Sequence, residues 1–416
     1  MYRLNYGIND SDRVSWPNSL LGNSGQGAPV YYDDQTHTWK PLDFADQTMF
    51  YCYTDSYPES HGNETGNTVP LKADIKQINF AFDEPGAMGN IIYTYFIIIN
   101  RNTLPWTNTY FSVWTDDDLG TATDDLVGCD TLLEMGYTYN ASNFDPVYGE
   151  APPAVAFDLI KGPIYYTGNN NDTAFICYGK NKRIKIGYKQ QNMTVFRWHE
   201  DSFEPNNHIE SYRMMEGIDK YGSPIINPVT GHETKFMYSG DPVTSIGWIQ
   251  TGGNDQRYLM SVGPFDMNPG DTQIIVVAQV IARGTSNINS ITVLRQYTQI
   301  ARDNYKNCFA NVPIGIENLS NQIPLRFNLE QNYPNPFNPI TKIKFSIPAV
   351  GAYDNTPVSL IIYDILGKEV VKLLNQKMKP GRYEVEWDGT NFASGVYFYK
   401  LEADSFVETK KMVLIK

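Results

Sequence analysis

Residues 90–102, NIIYTYFIIINRN, constrain the fold more than any other stretch of the chain. Their β-branched and aromatic side chains suit a pleated strand, and the run is long enough to cross the centre of a sandwich. Shorter runs of the same kind recur at 75–82, 109–118, 154–160, 173–178, 182–189 and 193–198, with a second long one, DTQIIVVAQVIARG, at 271–284. Turn residues separate all of them, and 32 Gly with 25 Pro favour many short strands over a helical protein. One stretch departs from this pattern. In 290–309, Ile291, Leu294, Tyr297, Ile300, Ala301 and Tyr305 fall at helical spacing, which predicts a helix packed on the sandwich. Residues 1–70 read as irregular, because turn formers and scattered aromatics alternate without a sustained period.

The 416 residues suffice for two or three domains. A net charge of −13 argues against nucleic acid or an anionic membrane as partner. Cys52, Cys129, Cys177 and Cys308 are too widely spaced for a zinc site or a disulfide scaffold. One or two bridges and isolated thiols both fit that spacing. No apolar stretch reaches the length of a transmembrane helix. The opening MYRLNYGINDSDR lacks the basic-then-apolar pattern of a signal peptide, so the chain reads as a mature or trimmed form if it is exported.

The last ninety residues carry six short strand patterns, in which Val358, Leu360 and Ile362 share one face, as do Tyr383, Val385 and Trp387. Strands this dense predict an immunoglobulin-like sandwich. Just before them, Tyr333, Pro334, Asn335, Pro336, Phe337, Asn338 and Pro339 form a stiff segment hostile to helix and central strand alike. FNLEQNYPNPFNPITKIKFSIP, followed by VSLIIYDILGKEVVKLLN, GRYEVEWDGTNFASGVYFYKLEA and ETKKMVLIK, closely resembles the type A C-terminal sorting domain of type IX secretion, over about 327–416. The resemblance implies export through the periplasm to the outside or outer surface of a Bacteroidota-like cell. It also implies the secretion machinery and a sortase-like peptidase as partners, with this domain as substrate and no catalytic residue in it. YFSVWTDDDLGTATDDLVGCDTLLEMGYTYN, YGEAPPAVAFDLIKGPI and GPFDMNPGDTQIIVVAQVIARG resemble a body region of uncharacterised type IX cargo proteins. That likeness implies no activity.

The strongest candidate chemistry is DDDLGTATDDLVGCD (116–130). Asp116, Asp118, Asp124, Asp125 and Asp130 offer alternate carboxylates that a structural Ca2+ would gather, since calcium takes six to eight oxygens. No EF-hand is formed, because Val127 stands where the closing Glu would be. A solvated or helix-capping acidic loop is the competing reading. His199 and His208, with carboxylates between them, lack the H-E-x-x-H pattern and read as a polar loop. Lys180, Lys182, Arg183, Lys185 and Lys189 read as one solvated strand edge, with an anionic-glycan site as the alternative. Body tryptophans offer rings for sugar stacking but are expected in the core. DTL and DTA place Thr131 and Thr173 in short patterns resembling O-glycosylation acceptors of Bacteroidota. Nucleophile elbows, Walker loops and dinucleotide fingerprints are absent from the sequence.

The expected protein is mainly β: a large β-sandwich body with one accessory helix (1–310), a linker (311–326) and an immunoglobulin-like sandwich (327–416). Its expected role is a non-enzymatic adhesion, glycan-binding or extracellular-layer protein. A fibre or surface-lattice subunit that binds copies of itself and a secreted polysaccharide hydrolase are the alternatives. The prolines of 331–339 are expected to hold the chain extended and keep upstream strands out of the next sheet. Deleting Gln331–Pro339 is expected to block export while the body keeps its fold, as secretion assays with circular dichroism of the purified deletion will read; normal secretion would refute this.

Overall fold

The computed structural model of the protein describes residues 1–416 except 6–10, 24, 34–36, 43, 62–67, 85, 201–202, 254, 311, 313–316, 321–325, 349–355, 379 and 405, with backbone alone at 33, 60 and 317–320. It is mainly β, built from antiparallel sheets with few helices. An eight-stranded sheet forms the centre of the body, in the order Tyr2–Asn5, Gln47–Thr54, Ala73–Ala81, Ile91–Asn100, Thr272–Ala282, Ala154–Lys161, Met135–Asn140, Asp125–Asp130. The two long runs noted in the sequence lie side by side at its middle, with Tyr95 opposite Val276 and Tyr93 opposite Ala278.

Period-2 alternation divides each central strand between two cores. Tyr93, Tyr95, Tyr137, Tyr139, Val276, Ala278 and Val280 face the helix Asn287–Lys306 and pack with its Ile291, Leu294, Ala301 and Tyr305. Ile98, Val127, Leu159, Ile275 and Val277 face the other way. They pack with Phe196, Tyr258, Met260 and Val262 of a three-stranded sheet made of Val195–Glu200, Gln256–Met267 and Trp106–Asp116. The body is therefore layered as helix, large sheet and small sheet.

The helix begins where Ser286 accepts a hydrogen bond from the Asn289 amide, an N-cap that satisfies an otherwise orphaned donor. Its predicted apolar face holds, except that Ile300 stays 38% exposed. Two arginines sew it to the sheet. Arg302 forms a bidentate contact with Asp158, Nε lying 3.1 Å from Oδ2, and also donates to the Leu133 and Leu159 carbonyls. Arg295 pairs with Asp130 at 3.0 Å and Asp241 at 2.8 Å. Asp158 is fully buried, so desolvation pushes its carboxyl up while Arg302 opposes that shift. A Cys177–Cys308 disulfide adds a covalent tie between the Thr173–Tyr178 strand and the end of the helix segment, whereas Cys52 and Cys129 are free thiols.

Three sequence expectations need correction. Gln47–Thr54, inside the stretch expected to be irregular, is a full strand whose Thr48 and Phe50 are buried. Its alternating pattern was masked by turn-rich neighbours on both sides. The accessory helix has a companion, His208–Glu216, capped by Asn207, which accepts from the Ile209 and Glu210 amides, and ended by Gly217 at φ 87°. The Asn-x-x-Glu capping signature is present in NNHIE, but the neighbouring Pro205 argued for a loop. Most of the expected linker lies outside the described residues, yet Glu317–Ser320 within it pairs with Gly381–Asp388. The prolines of 331–339 therefore do not keep every upstream residue out of the C-terminal sheets.

All six C-terminal strand patterns form strands. Glu317–Ser320, Gly381–Asp388, Ile340–Ile347 and Asn328–Leu329 make one sheet; Glu369–Met378, Thr356–Tyr363, Gly395–Ala403 and Phe406–Leu414 make the other. Leu360, Ile362, Val385, Trp387, Tyr399 and Leu401 fill the space between them, consistent with an immunoglobulin-like sandwich. This core shares no residue with the two body cores.

Replacing Arg302 by Met is expected to cost about 3–5 kcal/mol of stability, because it leaves a buried carboxylate unpaired. The loss shrinks on acidification: a stranded Asp158 has a folded pKa above its unfolded value, so stability rises as pH falls and the folded state takes up the proton. The double change Arg302→Met with Asp158→Leu is expected to lie within about 1 kcal/mol of wild type. Urea unfolding of both chains at neutral and mildly acidic pH checks this, and a loss under about 1 kcal/mol for the single variant would overturn it.

Candidate functional site

A short ribbon leaves the large sheet after Lys161. Its strands, Ile164–Tyr166 and Tyr188–Gln190, pair so that Tyr166 stands opposite Tyr188, with the two ring centres 5.2 Å apart. Gln273, in a central strand, anchors the ribbon: its Oε1 accepts from the Ile164 amide at 3.0 Å and its Nε2 donates to the Ile164 carbonyl at 2.9 Å. Beside this ribbon opens a cleft of about 920 Å³. Tyr165, Tyr166 and Tyr188 line it, with the amides Asn108, Gln190, Gln191, Asn192 and Asn268 and the carboxylates Asp266 and Asp271. Tyr165 and Tyr166 are 48% and 69% exposed, so the ribbon presents large ring surfaces to the cleft.

Both cleft carboxylates already serve the backbone. Asp266 accepts from the Asn108 amide at 2.9 Å and Asp271 from the Asn268 amide at 2.7 Å. Lys185 brings positive charge to the same cleft, its Nζ 3.8 Å from the centre of the Tyr188 ring. The basic run is not one strand: Lys182, Arg183 and Lys185 lie on the exposed strand Asn181–Ile186, Lys189 on Tyr188–Gln190, and Lys180 in the turn before, while Lys182 lies over Phe175 and Arg183 over Tyr178. Beneath the cleft floor, Lys161 is 2% exposed and donates to the Gly162 and Ile274 carbonyls; burial pulls its ammonium down to about 7.

The acidic loop does not gather its five candidate carboxylates at one point. Asp116 and Asp118 come within 4.8 Å of Asp255, a residue the sequence reading missed because it is distant in the chain. Arg257 enters this group, 3.0 Å from Asp116 and 3.8 Å from Asp255. Asp124 and Asp125 instead meet at Asn140, which donates from Nδ2 to both, at 3.3 Å and 3.2 Å. Asp125 is fully buried, and burial, reinforced by Asp124, Asp118 and Asp145, pushes it up to about 8. Burial likewise lifts Asp117 to about 6. Asp130 is committed to Arg295 and to the Leu132 and Leu133 amides.

His199 is 1% exposed, its ring centre 4.4 Å from that of Trp114. Burial and the nearby Arg197, Arg257 and Lys220 hold its pKa down to about 4. Among the described residues neither it nor His208 joins a group of metal-ligating side chains. Trp16 and Trp106 are core, as expected, while Trp39 and Trp114 are partly exposed. Thr131 and Thr173 are both exposed. The rings at the cleft are tyrosines, and their one sequence signal was the turn-flanked pair in GPIYYTGN.

The proline-rich motif is a folded corner. Asn332, 2% exposed, donates from Nδ2 to the Pro334 carbonyl at 3.0 Å and to Thr341 Oγ1 at 2.9 Å, and its amide donates to Tyr399 Oη at 2.8 Å. The Tyr333–Pro334 and Asn335–Pro336 peptides are cis. Asn335 Oδ1 accepts from the Val413 amide at 3.0 Å. Phe337 is buried against Trp387, and its backbone bonds to Val413 and Ile415, each at 2.9 Å. Tyr333 turns outward, 81% exposed. Pro336, Asn338 and Pro339 complete the turn into Ile340–Ile347.

Comparison with known proteins bears on this corner. Residues 331–416 match the family model of the secretion system C-terminal sorting domain. No curated protein matches the chain. A solved polysaccharide lyase aligns at 8% identity and a TM-score of 0.23, over 82% of this chain; this chain spans 34% of that structure. Among the described residues no helix is long and apolar enough to cross a membrane. The segment 331–416 is a type IX secretion C-terminal sorting domain, and the protein that carries it is secreted or attached to the outer surface.

Proposed function

We propose that the exported protein is a non-enzymatic glycan-binding protein of the cell exterior, and that the tyrosine-lined cleft holds the sugar chain. The observation that carries this reading is the meeting of three tyrosine rings with a row of side-chain amides along one open cleft. Sugar rings present apolar faces and hydroxyl edges. Tyrosine supplies a flat apolar body with a polar tip, and amides both donate and accept. An open cleft suits an internal stretch of polysaccharide better than a small metabolite, which a closed pocket would envelop. Lys185 against Asp266 and Asp271 leaves no strong single sign of charge, which favours a neutral glycan over a polyanion.

Hydrolysis is the less favoured reading. A glycosidase needs one carboxyl ready to donate a proton and a second free to attack or to activate water. Asp266 and Asp271 are both exposed and each is already engaged by a backbone amide, which leaves no uncommitted pair of carboxyls in the cleft.

Affinity electrophoresis of the full chain in gels containing neutral polysaccharides is expected to show retardation. Tyr166→Ala and Tyr188→Ala are expected to weaken binding by about tenfold or more, with unchanged melting temperature. Tyr221→Ala, an exposed ring far from the cleft wall in sequence, serves as control and is expected to bind as wild type. Release of reducing ends from the same glycans, abolished by Asp266→Asn or Asp271→Asn, would replace the binding reading with the hydrolase.

A further inference from the structure

The group around Asn140 gathers more oxygens than its one amide nitrogen can serve. Asp125 and Asn140 stand opposite each other on the edge strand Asp125–Asp130 and its neighbour Met135–Asn140, so their side chains share one face. The loop before them returns the Leu119 carbonyl and Asp124 to the same point. Three oxygens, Leu119 O at 2.9 Å, Asp125 Oδ1 at 3.2 Å and Asp124 Oδ1 at 3.3 Å, converge on a single nitrogen, Asn140 Nδ2. An amide nitrogen carries two hydrogens, so three acceptors exceed what it can serve. Its sister atom, Asn140 Oδ1, is buried with no hydrogen-bond partner, in a residue that is fully buried. Turning the amide over would exchange the problem for another, because four oxygens would then face one another.

A cation removes both difficulties. With Oδ1 turned inward, four oxygens of four residues surround one position, and two of them belong to carboxylates whose combined charge a divalent ion cancels. The rim group of Asp116, Asp118 and Asp255 differs, since Arg257 already provides positive charge there. Among the described residues no arginine or lysine is hydrogen-bonded or ion-paired to Asp125, whose other oxygen accepts from the Leu119 amide at 2.9 Å. The donors are all oxygen, from carboxylates, an amide and a backbone carbonyl. That set suits calcium, which accepts irregular oxygen shells, better than zinc, which seeks nitrogen and sulfur, or magnesium, which retains most of its water.

We propose that Asp124, Asp125, the Leu119 carbonyl and Asn140 Oδ1 form a structural calcium site at the edge of the large sheet. The ion ties the acidic loop to the last strand. It also braces the start of the long helix, because Asn287 Nδ2 holds the Asn140 carbonyl at 2.8 Å.

Melting of the full chain after EDTA treatment, followed by calcium chloride, tests the site. Calcium at about a hundredfold excess over its dissociation constant is expected to raise the melting temperature by about 5 °C. The rise is expected to vanish in Asp125→Asn and Asn140→Leu, and to persist in Asn140→Asp and in Asp116→Asn. Asn140→Leu keeps both carboxylates and decides the matter where Asp125→Asn does not fold. Calorimetric titration with calcium alone reads the same loss as at least about a hundredfold weaker binding. No calcium response in the wild-type chain would overturn the proposal, leaving a protonated carboxyl at Asp125. A response that survives Asn140→Leu, or one lost in Asp116→Asn, would overturn it in favour of the rim group.

Discussion

The Arg302–Asp158 pair stands where the alternation of its strand calls for an apolar side chain. Ala154, Ala156 and Ile160 precede and follow Asp158 on the helix-facing row. A carboxylate in that row is tolerated only because the helix returns a guanidinium to it, whose remaining N–H groups the carbonyls of Leu133 and Leu159 accept. The pair therefore fixes which turn of the helix lies over which strand, a registry that the surrounding apolar contacts alone would leave loose. Arg295 repeats the arrangement two turns earlier, where Asp130 and Asp241 receive it. Everything placed by the large sheet, including the ribbon of the cleft and the last two strands with Asp125 and Asn140, inherits that registry.

Much of this was legible in the sequence, and the reason differs from element to element. The C-terminal sandwich could be read strand by strand because its alternation is short-range: Tyr383, Val385 and Trp387 announce a buried face without knowledge of their partners. The Asn287–Lys306 helix was visible from its period, although its first residues were missed because capping, and not apolar spacing, sets that end. The cleft was not legible. Its tyrosines sit on strands of three residues, too short for any periodic signal, and they meet Asp266 and Asp271 only because Gln273 ties the ribbon to a central strand. The acidic loop was half legible. Its carboxylates were conspicuous, but the partners that sort them into two groups, Asp255, Arg257 and Asn140, come from other strands.

The cargo and its address are built on separate hydrophobic cores, and the proposed sugar cleft and cation site both belong to the cargo. The cleft's tyrosines lie on a ribbon outside the large sheet, while Gln273 and Asp266 come from the large and small sheets themselves. The acidic loop, in contrast, grows directly from an edge strand whose Val127 and Cys129 belong to the core between the sheets. A change there is felt by packing as well as by any ligand.

The sorting corner joins the two ends of its domain. Its first residues are held by its last strand: Asn335 and Phe337 bond to Val413 and Ile415, and Gln331 Nε2 donates to the Lys411 carbonyl. Without the strand Phe406–Leu414 the proline-rich motif keeps its letters and loses the surface on which it folds. Recognition that reads the shape of the corner therefore reads both ends of the domain at once.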